Sequence, residues 1–150
     1  MELQTQRLTI IPCMEASLSI ILIAEEYEFG PLINMYLKEL KEDPSLLGWG
    51  VWFVIDRGNN TVIGDIGFKG KPNSENTVEV GYGIVPSVQC KGYATEAVMK
   101  IIQWSFTFKT VNKVVAECLD DNVPSISVLE KLGMKQIGSK NNMLKWQLEK

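Results

Sequence analysis

The spacing of apolar positions changes several times along this 150-residue chain. Residues 6–11, QRLTII, alternate as an opening strand. Residues 15–24 read as a first, buried helix, because the apolar run 16–24 is bounded by Glu15 and Glu25. Pro31 opens a second helical pattern that places Leu32, Ile33, Tyr36, Leu37 and Leu40 on one face and stops at Asp43-Pro44. These two helices are expected to cap one edge of a sheet. From Trp49 onward the period drops to that of strands, with runs at 49–56 and 61–69 joined across Arg57-Gly-Asn-Asn60, a sequence with turn chemistry. A loop at 70–76 leads to a third run, 77–85, so three antiparallel strands in series are the simplest arrangement.

The helical period returns at 94–108, where apolar residues fall in a broad stripe suited to lying on that sheet. The β-branched run 113–119 follows. A helix between two strands makes a crossover unit, which predicts that 77–85 and 113–119 run parallel. Asn122 stands where an N-cap is expected, Pro124 falls in the first turn and Gly133 supplies a left-handed stop, giving a short last helix. Residues 134–138 and 142–148 close the chain as a hairpin. The expectation is one domain over 1–150 of α/β (α+β) class, with a mixed, mostly antiparallel central sheet flanked by helices.

Composition narrows the chemistry. A net charge of -3 gives no general basic field, so nucleic acid held by counterion release is not an expected partner. The longest apolar run falls short of the ~18 residues of a membrane span, and no basic segment with a small-residue cleavage site precedes it. Cys13, Cys90 and Cys118 form no CxxC pair, which suits a reducing, cytoplasmic setting. With no histidine, the Ser/His/Asp and Cys/His nucleophile systems are removed, together with the commonest transition-metal ligand; no metal site is expected. Cys90 and Cys118 therefore lack the usual activator of a catalytic thiol.

The stretch GYGIVPSVQCKGYATEAVMK, residues 81–100, carries the most specific signal. Pro86 cannot continue a central ladder, so the strand ends near Val85, and Gly92 permits a backbone conformation that strains other residues. Ala94 and Thr95 then open a helix whose first N–H groups point outward at the positive end of its dipole. Such a turn cradles an anion. No GxxxxGK[ST] string occurs, and the GxG at Gly81 and Gly83 lies inside the strand, with Pro86 where a third glycine belongs. Both familiar nucleotide loops are excluded.

Gln89-Cys-Lys-Gly92-Tyr-Ala94 instead matches Q/R-x-x-G-x-G/A, and here the chain resembles the GNAT (Gcn5-related) N-acetyltransferases. VVAECLDDNVPSISVLEKLGMKQIG is similar to that family's closing strand–helix–strand, and LQTQRLTIIPC resembles its RimJ/RimL branch. The resemblance implies acetyl-CoA as cosubstrate and a splayed parallel strand pair at 77–85 and 113–119. It implies that main-chain amides along Gln89, Lys91, Gly92, Tyr93, Ala94 and Thr95 hold the pyrophosphate, with the Lys91 charge nearby. It also implies that the backbone of Ile84 and Val85 pairs with the pantetheine arm.

Alternation along 77–85 puts Glu79 on one face with Gly81, Gly83 and Val85. The resemblance makes Glu79 a general base; otherwise it is an edge or solvent-facing glutamate. Asp65 and Glu117 are further carboxylates in apolar strand patterns. Asn122 either contacts the pantetheine, as the resemblance implies, or simply caps the last helix. The family's tyrosine acid is replaced by Leu129, so Ser125 is the substitute for protonating the departing thiolate, or else a serine serving only the helix. The implied reaction is direct attack by a primary amine in a ternary complex, the acceptor being a peptide N-terminus or a small amine. A non-catalytic acyl-CoA-binding module is the rival. The chain is expected to be a monomer or homodimer.

Overall fold

The structure is a computed structural model that describes residues 1–21, 27 and 30–150. Its strands are β1 (Leu3–Gln4), β2 (Leu8–Pro12), β3 (Val51–Asp56), β4 (Thr61–Phe68), β5 (Thr77–Ile84), β6 (Lys113–Leu119), β7 (Lys135–Lys140) and β8 (Met143–Glu149). They form a sheet in the order β1-β2-β3-β4-β5-β6-β8-β7. Every pairing is antiparallel except β5 with β6, as the crossover through α3 (Tyr93–Ser105) requires. The remaining helices are α1 (Leu18–Ile21), α2 (Pro31–Glu42) and α4 (Val123–Lys131). The first-helix expectation at 15–24 becomes a 3-10 turn, Glu15–Ser17, followed by α1; its last residues, 22–24, lie outside the described residues.

Alternation along β3 explains the two layers. Trp52 and Val54 point to the α3 side and pack with Leu8, Ile10, Val98 and Ile101 in one buried cluster. Phe53 and Ile55 point the other way and pack with Ile33 and Tyr36 of α2. Each such side chain contributes about 1.5–3 kcal/mol on burial. The expected edge-capping role of α2 is thus corrected: it covers a face of the sheet, because β3 is apolar on both sides. The outer edges belong to β1 and β7.

The feature that positions the site is a division of the sheet. β5 and β6 are in register only from Thr77↔Lys113 to Glu79↔Val115. Beyond that, β5 stays with β4 as far as Gly64↔Ile84, while β6 stays with β8 as far as Leu119↔Met143. The two strands separate in the middle of the sheet.

Candidate active site

A cleft of about 440 Å³ opens where β5 and β6 part, walled by the end of β5, the loop after it and the first turns of α3 and α4. Main-chain direction on β5 is fixed by two bonds: the Glu79 carbonyl accepts from Lys69 N–H (2.9 Å), and Val85 N–H donates to the Ile63 carbonyl (2.8 Å). Odd-numbered residues therefore turn their peptide groups to β4, and Val80, Tyr82 and Ile84 turn theirs to the gap. This divides the two residues expected to pair with an extended arm. Ile84 presents its peptide to the cleft, with its carbonyl already accepting from Gln89 Nε2 at 2.8 Å. Val85 is committed elsewhere, since its carbonyl also accepts from Val88 N–H (3.2 Å), and it lies outside the cleft wall.

After the 3-10 turn Pro86–Val88, the chain passes through two left-handed residues, Cys90 (φ 63) and Gly92 (φ 82). Main-chain donation resumes at Glu96 N–H to the Gly92 carbonyl (3.0 Å), and among the described residues the amides of 90–95 meet no main-chain carbonyl. These amides stand at the positive end of α3, and Cys90, Gly92, Tyr93, Ala94 and Thr95 line the cleft. Gly92 is needed twice over: its φ disfavours any Cβ, and an added Cβ would stand 3.3 Å from Arg7 Nη2.

Arg7 braces this turn from behind. Its Nη1 donates to the Lys91 carbonyl (2.9 Å), its Nε pairs with Glu96 Oε1 (2.7 Å), and its guanidinium lies 4.2 Å from the centre of the Tyr93 ring. The Thr5 hydroxyl and the Arg7 N–H both donate to Glu96 Oε2. Burial alone raises the Glu96 carboxyl, but the bonds from Thr5 and Arg7 outweigh it and hold it below the usual range. Sequence reasoning missed this trio. Its members lie inside the two strings that carry the family resemblance, yet nothing in their spacing says that they meet.

On the α4 wall, Asn122 accepts from Ser125 N–H (3.2 Å) as a helix cap while also lining the cleft. Ser125 lines it too, and its carbonyl accepts from the Tyr82 hydroxyl at 3.5 Å. Burial raises the Tyr82 phenol above its ordinary value. Leu129 is 0% exposed and belongs to the main core. The position that carries a phenol in the family's pattern is here a packing position.

The other face of β4 and β5 carries carboxylates. Glu79 pairs with Lys69 at 2.7 Å and lines neither the cleft nor the neighbouring groove. That groove, about 410 Å³, runs between α2 and β4 over Gly50, Gly67 and Gly81, and includes Asp65. Asp65 Oδ2 accepts from the Tyr27 hydroxyl at 2.7 Å, and burial raises its carboxyl more than that bond lowers it. Burial and the nearby Asp65 charge together push the Cys13 thiol up to about 12, so that thiol is a packing group. Glu117 pairs with Lys145 at 3.8 Å.

The family model for the acetyltransferase (GNAT) domain matches residues 26–135. The chain belongs to this family. The uncharacterized N-acetyltransferase YjdG of Bacillus subtilis (strain 168) is 32% identical over 106 residues, covering 71% of this chain and 63% of that protein, so this GNAT chain spans less than two thirds of that relative's length. Among solved structures, a ribosomal-protein-S5-alanine acetyltransferase from Vibrio fischeri superposes with a TM-score of 0.77 at 16% identity, over 99% of this chain and 96% of that one. RimL, a ribosomal L7/L12 α-N-protein acetyltransferase in complex with coenzyme A, gives 0.73 at 13% identity, over 99% and 98%. These two likenesses establish the fold.

Within this GNAT fold, Ile84, Gln89, Gly92, Tyr93, Ala94, Thr95, Asn122 and Ser125 line one cleft. Lys91, Val85 and Glu79 do not. Among the described residues no group of three or more His, Cys, Asp or Glu side chains is placed to hold a metal ion, and no helix is long and apolar enough to cross a membrane.

Proposed function

We propose that this chain transfers an acetyl group from acetyl-CoA to a primary amine by direct attack within a ternary complex, and that its acceptor is a peptide N-terminal α-amine. The observation that carries the reading is the set of unpaired amides at 90–95, opening onto a gap between two strands that have lost their ladder. The cradle suits a pyrophosphate, and the free β5 edge at Tyr82 and Ile84 suits an extended amide-bearing arm. When bound, the coenzyme supplies the activated acyl carbon.

The chain's own groups do the rest. The cradle and the β5 edge hold the acyl donor in one orientation, and peptide N–H groups facing the gap polarise the acyl oxygen. Ser125 lines the cleft, and its hydroxyl is the group assigned to the departing sulfur. An α-amine with pKa ~7.7–8.0 is partly neutral near neutral pH, whereas a lysine at ~10.4 is not, a gap of roughly 3.5 kcal/mol. The carboxylates of the groove face need only a modest basicity for an α-amine. The likeness in fold to a ribosomal-protein-S5-alanine acetyltransferase and a ribosomal L7/L12 α-N-protein acetyltransferase supports the same acceptor class.

Release of free coenzyme thiol tests this. Peptides with free amino termini are expected to exceed polyamines, aminoglycosides and free amino acids as acceptors. The burial of Leu129 in place of a phenol favours one competing reading, an acyl-CoA-binding module without turnover. Coenzyme-dependent thermal stabilisation with no thiol released from any amine selects that module; no stabilisation at all sinks both.

A further inference from the structure

The groove beside α2 and the coenzyme cleft share a floor. Asp65 is in register with Gly83 on β5; Gly83 lines the cleft, while Gly81 and Asp65 line the groove. A Cβ added at Gly81 or Gly83 would meet nothing within 4 Å, so the passage over these two residues is open. Resting on the acetyltransferase reading, we propose that the Asp65 carboxylate receives the acceptor's ammonium group at this passage and takes its first proton, with Tyr27 as the positioning residue that holds it.

Charge points the same way. Among the described residues no lysine or arginine pairs with Asp65, and residues 22–26, 28 and 29 include neither type. Lys69, the cation that lines the groove, is engaged by Glu79 at 2.7 Å. A half-buried carboxylate without a cation carries a desolvation cost, and an incoming ammonium relieves it. Tyr27 holds Oδ2 at 2.7 Å, and no donor among the described residues reaches Oδ1. Leu32 and Met35, 72% and 58% exposed on α2, form an apolar rim for the peptide behind the amine.

The step is balanced: one proton passes from the ammonium nitrogen to a carboxylate oxygen, and the freed lone pair is the nucleophile. Burial raises the Asp65 carboxyl and so makes it a stronger base than an exposed aspartate. The other titratable groups on this face, among the described residues, are Tyr27, Cys13, Tyr36, Glu39, Lys69 and Glu79.

Binding of an alanine tripeptide amide, with and without an N-acetyl cap, is measured by calorimetry near neutral pH with saturating coenzyme A. The wild-type chain is expected to favour the free amine about tenfold or more, and D65N to erase that preference while keeping coenzyme-dependent thermal stabilisation. A preference that survives in D65N, or is missing in the wild type, overturns the Asp65 assignment and leaves the acetyltransferase reading standing. Loss of stabilisation in the wild type overturns both. Should D65N not fold, Y27F carries the test: without the bond that lowers the Asp65 carboxyl, the acid limb of kcat/KM moves to higher pH, and an unmoved limb refutes the role.

Discussion

The two halves of this site are built from different material. The cleft proposed for the coenzyme is mostly main chain: the amides of Cys90 and of residues 92–95, the unladdered edge of β5, and the positive end of α3. The groove proposed for the acceptor is mostly side chain: Asp65 held by Tyr27, an apolar rim from α2, and Gly81, which leaves space above it. Main-chain geometry recognises what every coenzyme molecule shares.

The largest effect expected from this contrast is at Gly92. Gly92→Glu forces a side chain into φ 82, at ~1–2 kcal/mol, and sets its Cβ 3.3 Å from Arg7 Nη2, against the group that holds the turn. Coenzyme affinity should fall by about two orders of magnitude or more, read as loss of coenzyme-dependent thermal stabilisation. The preference of the groove for a free amine, measured without coenzyme, should persist. If both halves fail together, they are one unit and the contrast is wrong.

The same contrast explains what the sequence made legible. The turn at 86–95 was readable because backbone shape is written locally: Pro86 follows the end of a strand, Gly92 permits a left-handed turn, and small residues open a helix within ten positions. The strand series, the parallel pair and the last helix with its Asn122 cap were readable for the same reason, through period and punctuation. What escaped was long-range. Arg7 meets Lys91 and Glu96 across more than eighty residues, and Tyr27 meets Asp65 across thirty-eight. The left-handed turn at Cys90 was missed because it is not a glycine, and α2 was put on an edge because β3 is apolar on both sides, which alternation alone does not reveal.

A smaller effect is expected at the brace. Arg7→Ala leaves every cradle amide in place but frees the Lys91 carbonyl and Glu96 Oε1, while Oε2 keeps the Thr5 hydroxyl and the main-chain N–H of residue 7. Charge-assisted bonds of this kind contribute about 1.5–3 kcal/mol each before solvent exposure is discounted, so coenzyme affinity should drop about tenfold. The pH dependence gives the sign. The Glu96 carboxyl is held below its unfolded value, so its contribution is present above the ordinary glutamate pKa and is lost as pH falls through the lowered one. Denaturation of the wild type should show that acid loss, and Arg7→Ala should flatten it. An unchanged acid dependence would mean that the Thr5 hydroxyl and the main-chain N–H of residue 7 suffice to hold Glu96.

The smallest effect is expected at Glu79, and it sharpens the contrast most. Glu79 lies four residues before Gly83, which at about 3.3 Å per residue puts it some 13 Å from the opening where Asp65 stands in register. It is engaged by Lys69, and a half-exposed pair of this type contributes ~0–1 kcal/mol. Glu79→Gln should therefore shift stability by no more than that and leave the acid limb of kcat/KM where it was, whereas D65N removes the limb. The reverse pattern, with a limb lost in Glu79→Gln and kept in D65N, would assign the proton to Glu79 through water above Gly81. Asp65 would then hold the acceptor without taking its proton, and the groove would select substrates while the chemistry ran along β5.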